Sequence, residues 1–166
     1  SINIKAVFEG NVSDSDENFG GGCFITAGKA TVVIQEGTEF LRNISGYGGG
    51  GLYLSGVDAT VEKNVKFIEN EANWGGGLLI YKSNVLIDEN EFLKNTSSTH
   101  GSAIYNQTAD VIINKTLFTE NTATKEGTFV NKAVNATLDE CQFIGNKAQH
   151  AGGILNLTSS SLTITN

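Results

Sequence analysis

The chain is predicted to fold as an all-β, right-handed parallel β-helix: a single-stranded solenoid of about six coils of roughly 25 residues each. Three observations carry the prediction. First, a Phe stands three residues before an Asn six times, at Phe8/Asn11, Phe40/Asn43, Phe67/Asn70, Phe92/Asn95, Phe118/Asn121 and Phe143/Asn146, and the last five Phe are spaced 27, 25, 26 and 25 apart. Second, each Asn is followed by a short polar link and then by glycine at the head of an apolar segment, from Gly20-Gly21-Gly22-Cys23-Phe24-Ile25 to Gly152-Gly153-Ile154-Leu155. Third, each unit holds two or three short β-prone runs and no helical period. In the unit from Gly75 these are Leu78 to Tyr81, Val85 to Ile87 and Glu91 to Leu93. Such short strands bury no face alone, whereas stacking gives every coil a neighbour above and below.

Aligning the units assigns each element a place. The Phe column is an aromatic ladder inside the rod, and Thr38, Val65, Asn90, Thr116 and Cys141, two positions earlier, face the same way. Asn90 therefore needs its amide paired within the core. The Asn column (Asn43, Asn70, Asn95, Asn121, Asn146) closes a corner, each amide donating to one neighbouring coil and accepting from the other. Small residues two places on, such as Ser45, Ala72 and Ser97, fit a crowded bend. Arg42, Glu69, Lys94 and Glu120, two after Phe, alternate in sign, as strands about 4.8 Å apart favour. The inward parity of the post-glycine strands stays open, because both parities are apolar.

Composition agrees. Twenty Gly and eighteen Asn supply residues that tolerate a left-handed backbone, and there is no Pro. A net charge of −7, with eleven basic residues scattered along the chain, argues against nucleic acid as a partner. No apolar run approaches a membrane span, so no transmembrane segment and no direct membrane insertion are expected. Residues 1–166 read as one domain, a segment of a longer solenoid, because the first and last segments each read as part of a coil without a cap.

Candidate chemistry is sparse, and no catalytic, cofactor-binding or metal-binding residue is assigned. Tyr47 and Trp74, each four after a ladder Asn, are placed to stack on the outer rim, as a glycan or protein contact or as a cover over the glycine corner. His100 and His150 precede glycine corners without metal-ligand spacing. The acidic insertion Asp14-Ser15-Asp16-Glu17 lacks calcium-loop spacing and reads as a solvated loop. In the column four before Phe, Asp88 and Asp139 stand two coils apart, close to 10 Å, a separation within the range of some glycosidases; solvated corner residues explain them more simply. Cys23 and Cys141 lie about four coils apart, too far for a disulfide. Of seven Asn-x-Ser/Thr sequons, Asn106, Asn114, Asn135 and Asn156 are read as outward and open to N-glycosylation, whereas Asn11, Asn43 and Asn95 belong to the corner ladder.

Phe40-Leu41-Arg42-Asn43 with Gly50-Gly51-Leu52-Tyr53, and Phe67-Ile68-Glu69-Asn70 with Gly76-Gly77-Leu78-Leu79, resemble the repeats of the polymorphic outer membrane protein type. That resemblance implies a long, secreted, non-enzymatic surface protein serving as adhesin, coat or filament. The implied partners are adjoining coils, neighbouring copies, surface glycans or host and matrix proteins, with no cofactor. The alternatives are a glycan-binding module and, third, a polysaccharide lyase or hydrolase.

Overall fold

Apolar residues two apart, bounded by residues able to adopt a left-handed backbone, make each side of a coil a short strand ended by a turn. The computed structural model describes residues 1–166 apart from 16–18, 27, 29, 109, 133–134 and 158–159. Within them the chain is an all-β parallel solenoid, as predicted. Four strands form a coil rather than two or three. In one turn these are Glu71–Trp74, Leu78–Tyr81, Val85–Asp88 and Glu91–Leu93. Stacked on their counterparts they build sheets C, D, A and B, with five, six, seven and six strands among the described residues.

Sheet C occupies the segment that reads as a polar link. Ser45, Ala72, Ser97 and Ala123 pair there in register. Its strands mix small and polar residues with isolated apolar ones such as Val12, Ile44, Tyr47 and Trp74, so no alternating apolar run marks them. Strands of the coils above and below supply the ladder bonds that hold them in place.

Each of the four corners turns on one residue at positive φ. Lys82 (51°) follows sheet D, Glu89 (52°) sheet A, Lys94 (54°) sheet B and Gly101 (63°) sheet C. The charged column Arg42, Glu69, Lys94, Glu120 is thus a series of left-handed corner residues. Of its neighbouring members only Lys94 and Glu120 form an ion pair among the described residues, at 3.6 Å, and Arg42 pairs with Glu9 instead. Charged side chains are tolerated at this corner because they are exposed to water, although their ion pairs offset the roughly 1–2 kcal/mol cost of the left-handed backbone only weakly.

The corner after sheet C is different because it is crowded. A Cβ on Gly49 would lie 2.5 Å from the Leu52 carbonyl oxygen, and one on Gly76 would lie 2.2 Å from that of Thr96 and 2.5 Å from that of Ser102. Gly56, at φ 68°, has open space around it. Gly76→Ala is therefore expected to cost about 2–3 kcal/mol through overpacking, and Gly56→Asn to stay within about 0.5 kcal/mol. Urea unfolding midpoints measure both; equal midpoints would remove the steric account of the glycine corner. In the fifth coil this corner is one residue shorter, so the amides of Ala103 and Ile104 both donate to the Thr128 carbonyl, each at 3.1 Å.

The core is a column of side chains. Phe40, Phe67, Phe92, Phe118 and Phe143 stack with centroids 4.8, 4.5, 5.2 and 4.5 Å apart and nearly parallel rings. Thr38, Val65, Asn90 and Thr116 are buried beside them. The Asn90 amide is paired as the column requires, accepting from the Val65 amide at 2.7 Å and donating to the Val61 carbonyl at 3.3 Å.

The corner ladder runs from Asn11 to Asn146. Asn95 donates its side-chain amide to Phe67 O (2.8 Å) and Asn121 Oδ1 (3.0 Å), and its Oδ1 accepts from both the backbone N and Nδ2 of Asn70. Asn43, Asn70 and Asn121 repeat the arrangement.

Candidate interaction surfaces

Sheet D settles the parity that the sequence leaves open, because it is buried on both faces. Leu52, Leu54, Leu78, Ile80 and Ile104 face the rod interior, and Tyr53, Leu79, Tyr105 and Val130 face outward into a second apolar cluster. Phe19, Tyr47 and Trp74 close over that cluster from the sheet C side. The Tyr47 and Trp74 rings meet at 4.9 Å and 66°, edge to face rather than in parallel. The cause is a slip of register between Ala72 and Trp74, which sets Trp74 opposite Gly48 on one side and His100 on the other. Desolvation in this cluster pushes the phenols of Tyr53 and Tyr105 above their ordinary range. Both rim aromatics are half-buried, so each presents part of one ring to solvent and commits the rest to packing.

Beyond Trp74 the same edge is polar. The His100 ring lies 6.5 Å from Trp74 at 26°, and its Nδ1 is 2.8 Å from Glu126 Oε2. Glu126 bridges in turn to the His150 backbone. Among the described residues no three His, Cys, Asp or Glu side chains gather into a possible metal site. Of the acidic insertion, Asp14 is exposed, and Asp16 and Glu17 lie outside the described residues.

The outer face of sheet A carries three columns. Its middle column runs Val33, Thr60, Leu86, Ile112, Thr137, with Leu86 38% and Ile112 48% exposed. Asp58, Asn84, Asp110 and Asn135 form one margin, joined by hydrogen bonds from Asn84 Nδ2 to Asp58 Oδ1 (3.1 Å) and from Asn135 Nδ2 to Asp110 Oδ1 (3.1 Å). Glu62, Asp88, Asn114 and Asp139 form the other, which places the Asp88 and Asp139 of the sequence reading on this face. A shallow groove of about 260 Å³ crosses the face, lined by Asp58, Thr60, Asn84, Leu86, Asp110 and Ile112 among others.

The sequon asparagines separate by burial. Asn106 is not outward: it is fully buried, and its Nδ2 donates to Asn131 Oδ1 at 2.9 Å. Asn131 donates to Asn156 in the same way, so these three form a second ladder on the inner side of sheet D. Asn156 is exposed, Asn114 half-buried and Asn135 exposed. Asn43 and Asn95 are fully buried in the corner ladder.

Cys23 and Cys141 are free thiols, and burial pushes both above the ordinary thiol range. A raised pKa lowers the thiolate fraction at any given pH. Both should therefore react with an aromatic disulfide reagent at pH 8 about tenfold more slowly in the folded protein than in urea. The folded rate should keep rising with pH above the range where a free cysteine levels off. Equal rates in the two states would contradict the assignment.

A family model described as the right handed beta helix region matches residues 2–166. The chain belongs to the right-handed β-helix family. No curated protein and no solved structure matches it. The finer likeness to polymorphic outer membrane protein repeats is not part of that match.

In this right-handed β-helix, two of the surface features escape a reading of the sequence. The second ladder has Ile80 in its column in the third coil, so only three consecutive coils display it. The Asp and Asn margin of sheet A lies at the first residue of each strand or just before it, where a polar residue reads simply as a corner. Tabulating every column across all coils, instead of anchoring on Phe and Gly alone, exposes both.

Proposed function

We propose that this right-handed β-helix is a non-enzymatic structural or adhesive module of an extracellular, surface-displayed protein of the polymorphic outer membrane protein kind. Its partners are the adjoining coils of the same protein or neighbouring copies. The observation that carries this reading is that the side-chain chemistry repeats coil by coil, in a Phe stack, Asn ladders and left-handed corners, and so serves the rod itself. Catalysis draws instead on unlike groups converging at one place. Antibody labelling of source cells before and after permeabilisation tests the location. Labelling of intact cells supports it; labelling that needs permeabilisation overturns it.

The half-buried Tyr47 and Trp74 favour one further reading, a glycan-binding surface, since a partly exposed ring can pack against a sugar face. If that reading holds, Trp74→Ala abolishes retention on a glycan array while the circular dichroism spectrum stays unchanged. An array that retains neither protein rules it out.

A further inference from the structure

Sheets A and B present their charges differently. On the sheet B side acids meet bases: Lys66 lies 3.3 Å from Glu39, Lys94 lies 3.6 Å from Glu120, and Arg42 pairs with Glu9. On the outer face of sheet A, Asp58, Glu62, Asp88, Asp110 and Asp139 have no cation within 4 Å among the described residues; Lys63 and Lys115 stand exposed at the neighbouring corner and form no ion pair. Between these acidic margins runs the apolar column with Leu86 and Ile112 exposed in adjacent coils, and the groove crosses it. An apolar strip bordered by unneutralised carboxylates is complementary to a chain with aliphatic and basic side chains. Polyanions, including nucleic acid and acidic glycans, are repelled there, and a second copy of this chain at net charge −7 is a poor match.

The spacing narrows the partner's conformation. Asp58 and Asp110 are two coils apart on one margin, and Asp88 and Asp139 are two coils apart on the other. Two coils rise about 9.6 Å, while one three-residue turn of polyproline II rises about 9.3 Å. A β-strand repeats its facing side chains at about 6.7 Å and falls out of step.

We propose that the outer face of sheet A docks an extended basic protein segment in the polyproline II conformation. The segment lies along the rod axis with Lys or Arg at every third residue against Asp58 and Asp110 and aliphatic residues on Leu86 and Ile112. The inference does not depend on where the protein resides, so failure of the surface-display reading leaves it standing.

The test is fluorescence anisotropy of the full chain with three labelled peptides: five repeats of Pro-Leu-Lys, an alternating Leu-Lys peptide of equal charge, and five repeats of Pro-Leu-Glu. The Pro-Leu-Lys peptide is expected to bind, more weakly as salt rises, and at least about fivefold more tightly than the alternating peptide. The Asp58→Asn/Asp110→Asn double variant keeps the Oδ1 acceptors that the margin uses and should weaken binding about five- to tenfold. Leu86→Ser/Ile112→Ser should weaken it further, whereas Glu39→Gln/Glu120→Gln on the sheet B side should leave it unchanged. All these positions are partly or fully exposed, and circular dichroism confirms that each variant folds. No binding at about 1 mM peptide, equal loss in the sheet B variant, or equal binding of the alternating peptide would each overturn the proposal.

Discussion

Replacing Asn95 with leucine is expected to destabilise the protein by roughly 3–5 kcal/mol. Four hydrogen bonds are lost at once, those from the backbone N and Nδ2 of Asn70 and those to the Phe67 carbonyl and Asn121 Oδ1, although Asn70 Nδ2 keeps the Phe40 carbonyl and Asn121 Oδ1 keeps the backbone N of residue 95. The site is fully buried, so water does not replace them. Each unsatisfied buried group costs about 1–3 kcal/mol, against a net gain of about 1 kcal/mol for a made bond. Urea unfolding followed by circular dichroism measures the loss. The Asn70→Leu/Asn95→Leu pair should cost less than the sum of the single changes, because both single changes break the same bond from Asn70 Nδ2 to Asn95 Oδ1. A single-variant loss below about 1 kcal/mol would mean that the ladder closes around the gap.

Phe92→Ala should cost about 4–5 kcal/mol, at the upper end for a buried aromatic. The ring is fully buried and stacked on both faces, 4.5 Å from Phe67 and 5.2 Å from Phe118. Truncation therefore forfeits two ring contacts, each worth about 0.5–1.5 kcal/mol beyond area, and leaves a cavity. Collapse is hindered because the backbone around it is fixed by the coils above and below at the sheet spacing. Phe92→Leu keeps much of the volume and should cost about 1–2 kcal/mol. The same unfolding experiment ranks the two; an equal cost would show that stacking geometry outweighs volume.

The parts legible in the sequence are those whose chemistry repeats in every coil. Phe40 to Phe143 and Asn43 to Asn146 recur at nearly constant spacing, and a one-residue slip in a strand would turn each column to the wrong face. Parity in sheet D was not legible because both faces are buried, so Leu78, Leu79 and Ile80 carry no alternation. Sheet C was not legible because stacking, rather than propensity, makes Ser45 and Ser97 into strand residues. Asn106 is buried although its sequon suggests an outward position, because a sequon records the enzyme's preference and is blind to burial. The alternating charges after Phe were legible as a column, but their role as left-handed corners depends on φ, which Arg, Glu and Lys do not advertise.

The ladder also has a direction. Every side-chain amide from Asn11 through Asn43, Asn70, Asn95 and Asn121 donates to the Oδ1 of the following coil, and Asn106 and Asn131 do the same on the opposite side. Head-to-tail amides add their dipoles and polarise one another. The rod is thus electrically vectorial: a coil laid against Asn146 must offer an acceptor and one laid against Asn11 a donor, so inverting a coil or joining two rods tail to tail sets donor against donor.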